Sequence, residues 1–316
     1  MTENRLAIGV DIGGTKIAFT LIDSQGVELA THRLPTQPDD GTDRMIDAIA
    51  EGIEHLVATG DGRIAGIGIG CPGHVDPISG IVRNAVNLNW TQVALRDDVG
   101  RRLGSQLPIF LHKDANASAI GELYFGAARG CKDFLILTIG TGLGGGAVVD
   151  GEIVIGGNAY AMEVGHIAFA SQGRLCKCGL HGCPEMYVSG KGLLAGVHEY
   201  KVDFPESPLA KRLDLSTQMI LEAARAGDPL ALYVMDEAAR WLGTVIAHYA
   251  TLLNPSLVII GGGLGEAALD LLKTGATAEL RRRTLPATYE AVEIVESQVT
   301  SSAVGAACLV WHALRS

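Results

Sequence analysis

The stretch RLAIGVDIGGTKIAFTLID, Arg5–Asp23, sets two apolar runs, Leu6–Val10 and Ile17–Ile22, on either side of a glycine-rich turn. Short apolar runs bounded by Gly read as buried strands, so the stretch predicts strand, glycine turn, strand. The pattern returns in FLILTIGTGLGGGAVVDGEIV, where Gly and Thr again fill the turn. Two such units about 120 residues apart predict two similar α/β domains facing one another.

The segments between these hairpins fit the same class. TDRMIDAIAEGIEHLVATG places Met45, Ile46, Ile49, Ile53 and Leu56 at helical spacing, with Thr42 as the predicted N-cap and Gly60 as the stop. IAGIGIGCPG predicts a buried strand ending in a Pro-Gly turn, and LPIFLHKDANASAIGELYFGAA a short strand passing into a helix. DPLALYVMDEAARWLGTVIAHYATLLNP predicts a long helix, capped by Asp228, opened by Pro229 and ended by Asn254-Pro255. SLVIIGGGLG predicts a strand running into a glycine turn, and SAVGAACLVWHAL a closing helix. EYKVDFPESPLAKRLD reads as a polar surface excursion.

Composition narrows the function. The chain has 316 residues, 47% hydrophobic and 19% charged, which is a globular balance with room for two cores. A formal net charge of −10 argues against nucleic acid as a partner, because phosphate surfaces need clustered Lys and Arg. No apolar run reaches membrane-spanning length and no signal peptide opens the chain, so a cytoplasmic, reducing setting is expected. Disulfides are then not the default for the six cysteines. Cys71, Cys131 and Cys308 are expected to be buried small hydrophobes.

The glycine turns are candidate phosphate cradles, since such turns aim backbone N–H groups and hydroxyls at anions. In DIGGTK, Asp11 is placed to hold Mg²⁺, with Gly13, Gly14, Thr15 and Lys16 approaching the terminal phosphate. Thr138, Thr141 and Gly142 offer a second cradle, and Gly261, Gly262 and Gly263 a third after a buried strand. Neither hairpin turn has Walker A spacing or its lysine, and the turn at Gly140–Gly146 leads into a strand, unlike a dinucleotide fingerprint.

In order along the chain, DIGGTK, KDANASAIGE, TIGTGLGGG, EVGH, CKCGLHGCPE and IIGGGLG resemble the ROK family of sugar kinases, over essentially the whole length. The resemblance implies an α/β fold of two actin-like (ribonuclease H-like) ATPase domains with a cleft between them. The expected division is 1–113 with the C-terminal helix at about 301–316, and 114–300 carrying a zinc loop. The implied activity is ATP-dependent phosphorylation of the 6-hydroxyl of glucose. An N-acetylhexosamine kinase is the near alternative. A sugar-responsive regulator is disfavoured, because only five residues precede the first apolar run. The family also implies a homodimer or homotetramer.

Residue roles follow by position. Asp114 is the implied catalytic base; on its own chemistry, apart from that context, it would read as a helix cap. Gly73, Lys113, Glu163, His166 and Glu185 are the implied sugar contacts, with Asn87 a weaker one. The chain departs from the family in having Lys113 where Asn is usual before the base, which removes an acceptor. His74 and Met162 also replace smaller residues. In LCKCGLHGCPE, Cys176, Cys178 and Cys183 offer thiolates, and His166 or His181 a nitrogen. Cys₃His is a closed structural zinc set, and the spacing lacks the C-x-x-C of redox sites. The family supplies His166 as the fourth ligand, its other ring nitrogen facing a sugar hydroxyl.

Overall fold

Arg5–Asp23 forms a hairpin of two antiparallel strands, β1 (Arg5–Ile12) and β2 (Lys16–Ile22), with Ile12 opposite Ile17. The computed structural model describes residues 5–60, 63–299 and 301–315. β3 (Glu28–Pro35) continues the antiparallel ladder. α1 (Thr42–Thr59) then buries Met45, Ile46, Ile49, Ile53 and Leu56, the predicted apolar stripe. Gly60 closes the helix as predicted; Gly41 at φ 91 occupies the cap, and Thr42 is the first helical residue. β4 (Arg63–Cys71) runs parallel to β1. β5 (His74–Asp76), β6 (Ile81–Ala85) and β7 (Trp90–Val93) form a small antiparallel sheet of their own. After α2 (Leu95–Leu103), β8 (Ile109–Lys113) pairs parallel with β4 and passes straight into α3 (Asp114–Phe125). The main sheet has the order β3-β2-β1-β4-β8.

The second half repeats that plan. β9 (Phe134–Ile139) and β10 (Leu143–Val149) make the predicted hairpin, followed by β11 (Glu152–Ile153). A long connection leads to α4 (Glu185–Val188), α5 (Gly190–Tyr200), α6 (Thr217–Arg225) and α7 (Pro229–Leu253). α7 starts as predicted: the Asp228 carboxylate accepts from the Ala231 N–H at 2.9 Å. It ends at Asn254, which is left-handed at φ 46. β12 (Leu257–Gly261), α8 (Gly263–Arg283), α9 (Pro286–Ala291) and β13 (Glu293–Glu296) complete a sheet of order β11-β10-β9-β12-β13. In both sheets an antiparallel hairpin with a third strand beside it is extended by two parallel strands, so the α/β duplication read from the hairpins is present.

The glycine turn expected after β12 is shorter than it reads. Gly262 alone turns, at φ 81, with its Cα face against the Ile139 backbone. Gly263 already opens α8. Three glycines carry little helix propensity, so composition masks a helix whose bare first turn packs closely: a Cβ on Gly265 would lie 3.0 Å from Ile260.

α10 (Ser302–Ala313) returns to the first sheet. It lies on strand backbone: a Cβ on Gly9 would overlap the Ala303 carbonyl, and one on Gly68 the Ala306 carbonyl. Gly305 meets α3 in the same way: a Cβ there would lie 2.6 Å from the Ala117 carbonyl oxygen. Buried Glu122 ties this return down, accepting from the N–H groups of Gln298 at 3.1 Å and Val299 at 3.2 Å. The packing gathers into one unit that runs to Gly130 and takes in Ile153–Ala161 and the chain from Gln298 onward, and a second of Cys131–Glu152 and Met162–Ser297. This differs from the 1–113 and 114–300 division expected from sequence. α3 stays with the first unit because it is locked to α10 at Gly121 and Gly305.

Cys71 and Cys308 are buried as expected. Cys131 is only partly buried, with its Sγ 3.2 Å from the Ser256 hydroxyl, because it sits in the turn before β9. Among the described residues, no helix is long and apolar enough to cross a membrane.

Candidate active site

Two carboxylates stand at the carboxyl ends of β1 and β8, the two strands that flank β4. Asp11 is near the end of β1, Gly70 is opposite it on β4, and β8 ends at Lys113, directly before Asp114. Gly70 keeps the space between them open: a Cβ there would lie 3.7 Å from Asp11 Oδ1 and 3.6 Å from Asp114 Cα. Ligand sites of open α/β sheets form at this edge. Burial, and then the charge of Asp114, push Asp11 up to about 7, against the opposing influence of Lys16 and a Ser302 hydrogen bond. Cys71, the next residue on β4, is held as a neutral thiol by burial and by the same two acids. The pair is electrostatically frustrated, which suits a cation.

A pH-dependent stability follows from Asp11. Its folded value of about 7 lies above the ordinary aspartate value of 3.8, so folding is unpenalised below about pH 4 and the penalty is complete above about pH 7. We expect Asp11→Asn, without added magnesium, to stabilise the protein by on the order of 2–4 kcal/mol at pH 8 and to change little at pH 4. Thermal denaturation at the two pH values checks this; equal shifts at both would refute it.

Asp114 is the first residue of α3 and Lys113 takes the cap position, so the helix-cap role open to Asp114 from sequence is not the one it fills. Its Oδ1 accepts from the Ala115 N–H at 2.7 Å. Lys113 Nζ approaches the Ala161 carbonyl at 3.5 Å. Gly73 is at φ 89, where any side chain would strike the Asn84 carbonyl. In the β1–β2 turn the Gly13 N–H donates to Lys16 O at 2.9 Å, and the Thr36 hydroxyl to Gly13 O at 2.7 Å. Gly14, Thr15 and Lys16 are exposed at its tip, and the Asn87 side chain lies beside Gly14.

In the second unit, Glu163 precedes a 3-10 turn, Val164–His166, whose last N–H returns to the Glu163 carbonyl at 3.0 Å. Glu185 begins α4, and its carboxylate accepts the Leu143 N–H at 3.1 Å. That carboxylate lies against Gly142, where a Cβ would come within 2.5 Å of it. Gly142, expected in a phosphate cradle, thus has a steric duty to an expected sugar acid. The Gly140 N–H is spent on Gly142 O at 3.0 Å, while Thr138 is half-buried and Thr141 exposed. Gly261 ends β12, and Gly263 has open space beside it at the start of α8.

His166, Cys176, Cys178 and Cys183 converge, with one ligand atom from each lying within 4.8 Å of all the others. His166 Nδ1 is 3.6 Å from Cys176 Sγ, and the sulfurs of Cys178 and Cys183 are 3.6 Å apart. Sulfurs of a tetrahedral Zn–S₄-type site with 2.3 Å bonds stand about 3.8 Å apart, so the spacing suits that ion. The loop is shaped by Gly179 at φ 90 and Gly182 at φ 69, with the Cys176 N–H donating to Leu180 O at 2.8 Å. His181 turns away, its Nδ1 2.9 Å from the Gly173 carbonyl, which leaves His166 as the nitrogen ligand. With Nδ1 toward the thiols, Nε2 of His166 lies on the opposite ring edge.

Sequence reading missed two residues here. Arg174 leads into the metal loop and is buried against Glu237 at 2.7 Å, reaching Glu199 at 2.7 Å and the Met186 carbonyl at 2.9 Å. Its guanidinium also lies over the Tyr187 ring. Tyr249 of α7 is pushed up to about 12 by burial and by Glu163. Neither has a local sequence signal, because their partners are distant in the chain.

A family model described as ROK family matches residues 7–313. A glucokinase of Streptomyces coelicolor is 38% identical over 278 residues, covering 85% of this chain and 86% of that protein. Among solved structures, a ROK family glucokinase of Streptomyces griseus in complex with glucose and AMPPNP has a TM-score of 0.80 at 34% identity, covering 98% and 100% of the two chains. A ROK family transcriptional regulator, homolog of the E. coli MLC protein, has a TM-score of 0.88 at 29% identity, covering 98% of this chain and 78% of that one.

Proposed function

Because the chain belongs to the ROK family, we propose that it is an ATP-dependent hexose kinase acting on the 6-hydroxyl of glucose. The observation that carries this is the Asp11–Gly70–Asp114 arrangement: two acids at one sheet edge with a bare strand between them. One acid can hold a cation while the other takes a proton. Asp114 accepts the proton of the attacking sugar hydroxyl, and its 2.7 Å bond from the Ala115 N–H fixes the carboxylate for that purpose. Asp11 would hold Mg²⁺, which would supply charge neutralisation at the nucleotide phosphates. Gly13, Gly14, Thr15 and Lys16 meet the terminal phosphate, with Thr138, Thr141, Gly142 and Gly261–Gly263 completing nucleotide contacts.

Glu163, Glu185 and His166 Nε2 bind sugar hydroxyls, together with Gly73 and Lys113. Carboxylates and a neutral imidazole nitrogen accept hydroxyl protons in fixed directions. His166, Cys176, Cys178 and Cys183 would hold zinc, which would close the loop and orient that imidazole. The activity sets the protein in the cytosol, where ATP is abundant and thiols stay reduced. A homodimer or homotetramer is the assembly that belongs with it.

ADP release with glucose, mannose, N-acetylglucosamine and N-acetylmannosamine tests the proposal. Glucose should give the highest kcat/KM. A preference for an N-acetyl sugar would replace the substrate, and sugar binding without ADP release would place the chain with the regulators.

A further inference from the structure

The connection Ile153–Ala161 is a strap. By its packing it belongs to the first unit, although the chain enters it from Glu152 and leaves it into Met162, both of the second. The Ala161 N–H donates to the Ile155 carbonyl at 3.2 Å and draws its ends together. Its backbone is costly: Ala159 is at φ 62, and Met162 just beyond it at φ 64. Non-glycine residues persist in that region only where their surroundings over-determine them.

The surroundings include His74. Its Nε2 is 2.9 Å from the Asn158 carbonyl oxygen, so that nitrogen carries the proton, and its ring centroid is 3.5 Å from that of Tyr160. Gly73 aims the histidine, since its φ of 89 and the pressure of β6 on its Cα admit no other residue type. Lys113 Nζ reaches the last strap carbonyl, Ala161 O, at 3.5 Å. The strap leads through Met162 into Glu163.

We propose that His74 is a positioning residue for Glu163: it pins Asn158 and Tyr160, and the pinned strap fixes the backbone from which Glu163 is presented to the sugar. This rests on Glu163 being a sugar ligand. His74 touches no reacting atom, so its effect falls on sugar affinity and not on the chemical step.

The test compares His74→Ala, Tyr160→Ala, the double variant and His74→Gln by steady-state kinetics and by glucose titration calorimetry without nucleotide. Losing one hydrogen bond and one ring contact should raise KM and Kd for glucose about tenfold, with kcat and KM for ATP within about twofold. The double variant should be no worse than the poorer single one, because both side chains act through one strap. His74→Gln keeps an N–H donor and should recover part of the loss. A glucose Kd within about twofold of the unaltered protein in His74→Ala, an equal rise in KM for ATP, or additive effects in the double variant would each overturn the proposal. Calorimetry keeps the outcomes separable: an unaltered protein that binds glucose without turnover refutes the kinase reading yet still decides the role of His74.

Discussion

Asp114→Asn leaves glucose affinity near that of the unaltered protein and lowers phosphoryl transfer by about 10²- to 10⁴-fold. Asparagine is nearly isosteric with aspartate, and its amide oxygen can still accept the Ala115 N–H that Asp114 Oδ1 accepts at 2.7 Å. The start of α3 is therefore preserved, and only the proton acceptor is lost. Were Asp114 merely a helix-start residue, asparagine would serve as well and the variant would be nearly silent. The transition state of phosphoryl transfer is loose, so positioning carries much of the rate and some turnover should survive. A variant retaining more than about a tenth of kcat would remove Asp114 from the chemistry.

The second large effect concerns the metal. Stripping zinc with a strong chelator, or replacing Cys183 with serine, should weaken glucose binding by at least about 10- to 100-fold. Cys183 is buried and Cys176 nearly so, and burial pushes both thiols up, so the metal-free loop holds neutral thiols crowded where thiolates around a cation would fit. Cys178 is lowered: its burial is outweighed by the Leu180 N–H and the neighbouring thiols. Without the ion, the His166 imidazole keeps only its 3.6 Å approach to Cys176 Sγ, a weak contact in place of a metal bond. Structural zinc contributes on the order of 10 kcal/mol to small metal domains, enough to hold such a loop. Metal analysis of freshly purified protein should find one zinc per chain. Its absence, or unchanged glucose affinity after chelation, would contradict the assignment.

What could be read from the sequence was what is local. β1, β2 and β9 showed as apolar runs because both faces of those strands are covered. α7 showed because Asp228 and Pro229 announce its start, and the metal ligands because four soft donors fall within eighteen residues. α8 stayed hidden behind Gly261–Gly263. Gly142 read as a phosphate turn, and nothing local showed that its bare backbone also leaves room for Glu185, 43 positions on. Arg174 gave no signal, because Glu199 and Glu237 lie 25 and 63 residues away. The strap has no periodicity, and only left-handed backbone at Ala159 and Met162 marks it.

The interlock of α10 with Gly9 and Gly68 bears on how the chain is made. β1 and β4 leave a ribosome well before residues 302–313. Until they emerge, the bare glycine backbone of those strands lacks its cover, and the apolar cluster that Ala7, Ile22 and Ile120 form with Ala306 and Cys308 cannot close. The second unit needs nothing beyond Ser297 for its own sheet. Synthesis therefore supplies every strand of the second sheet before the last cover of the first.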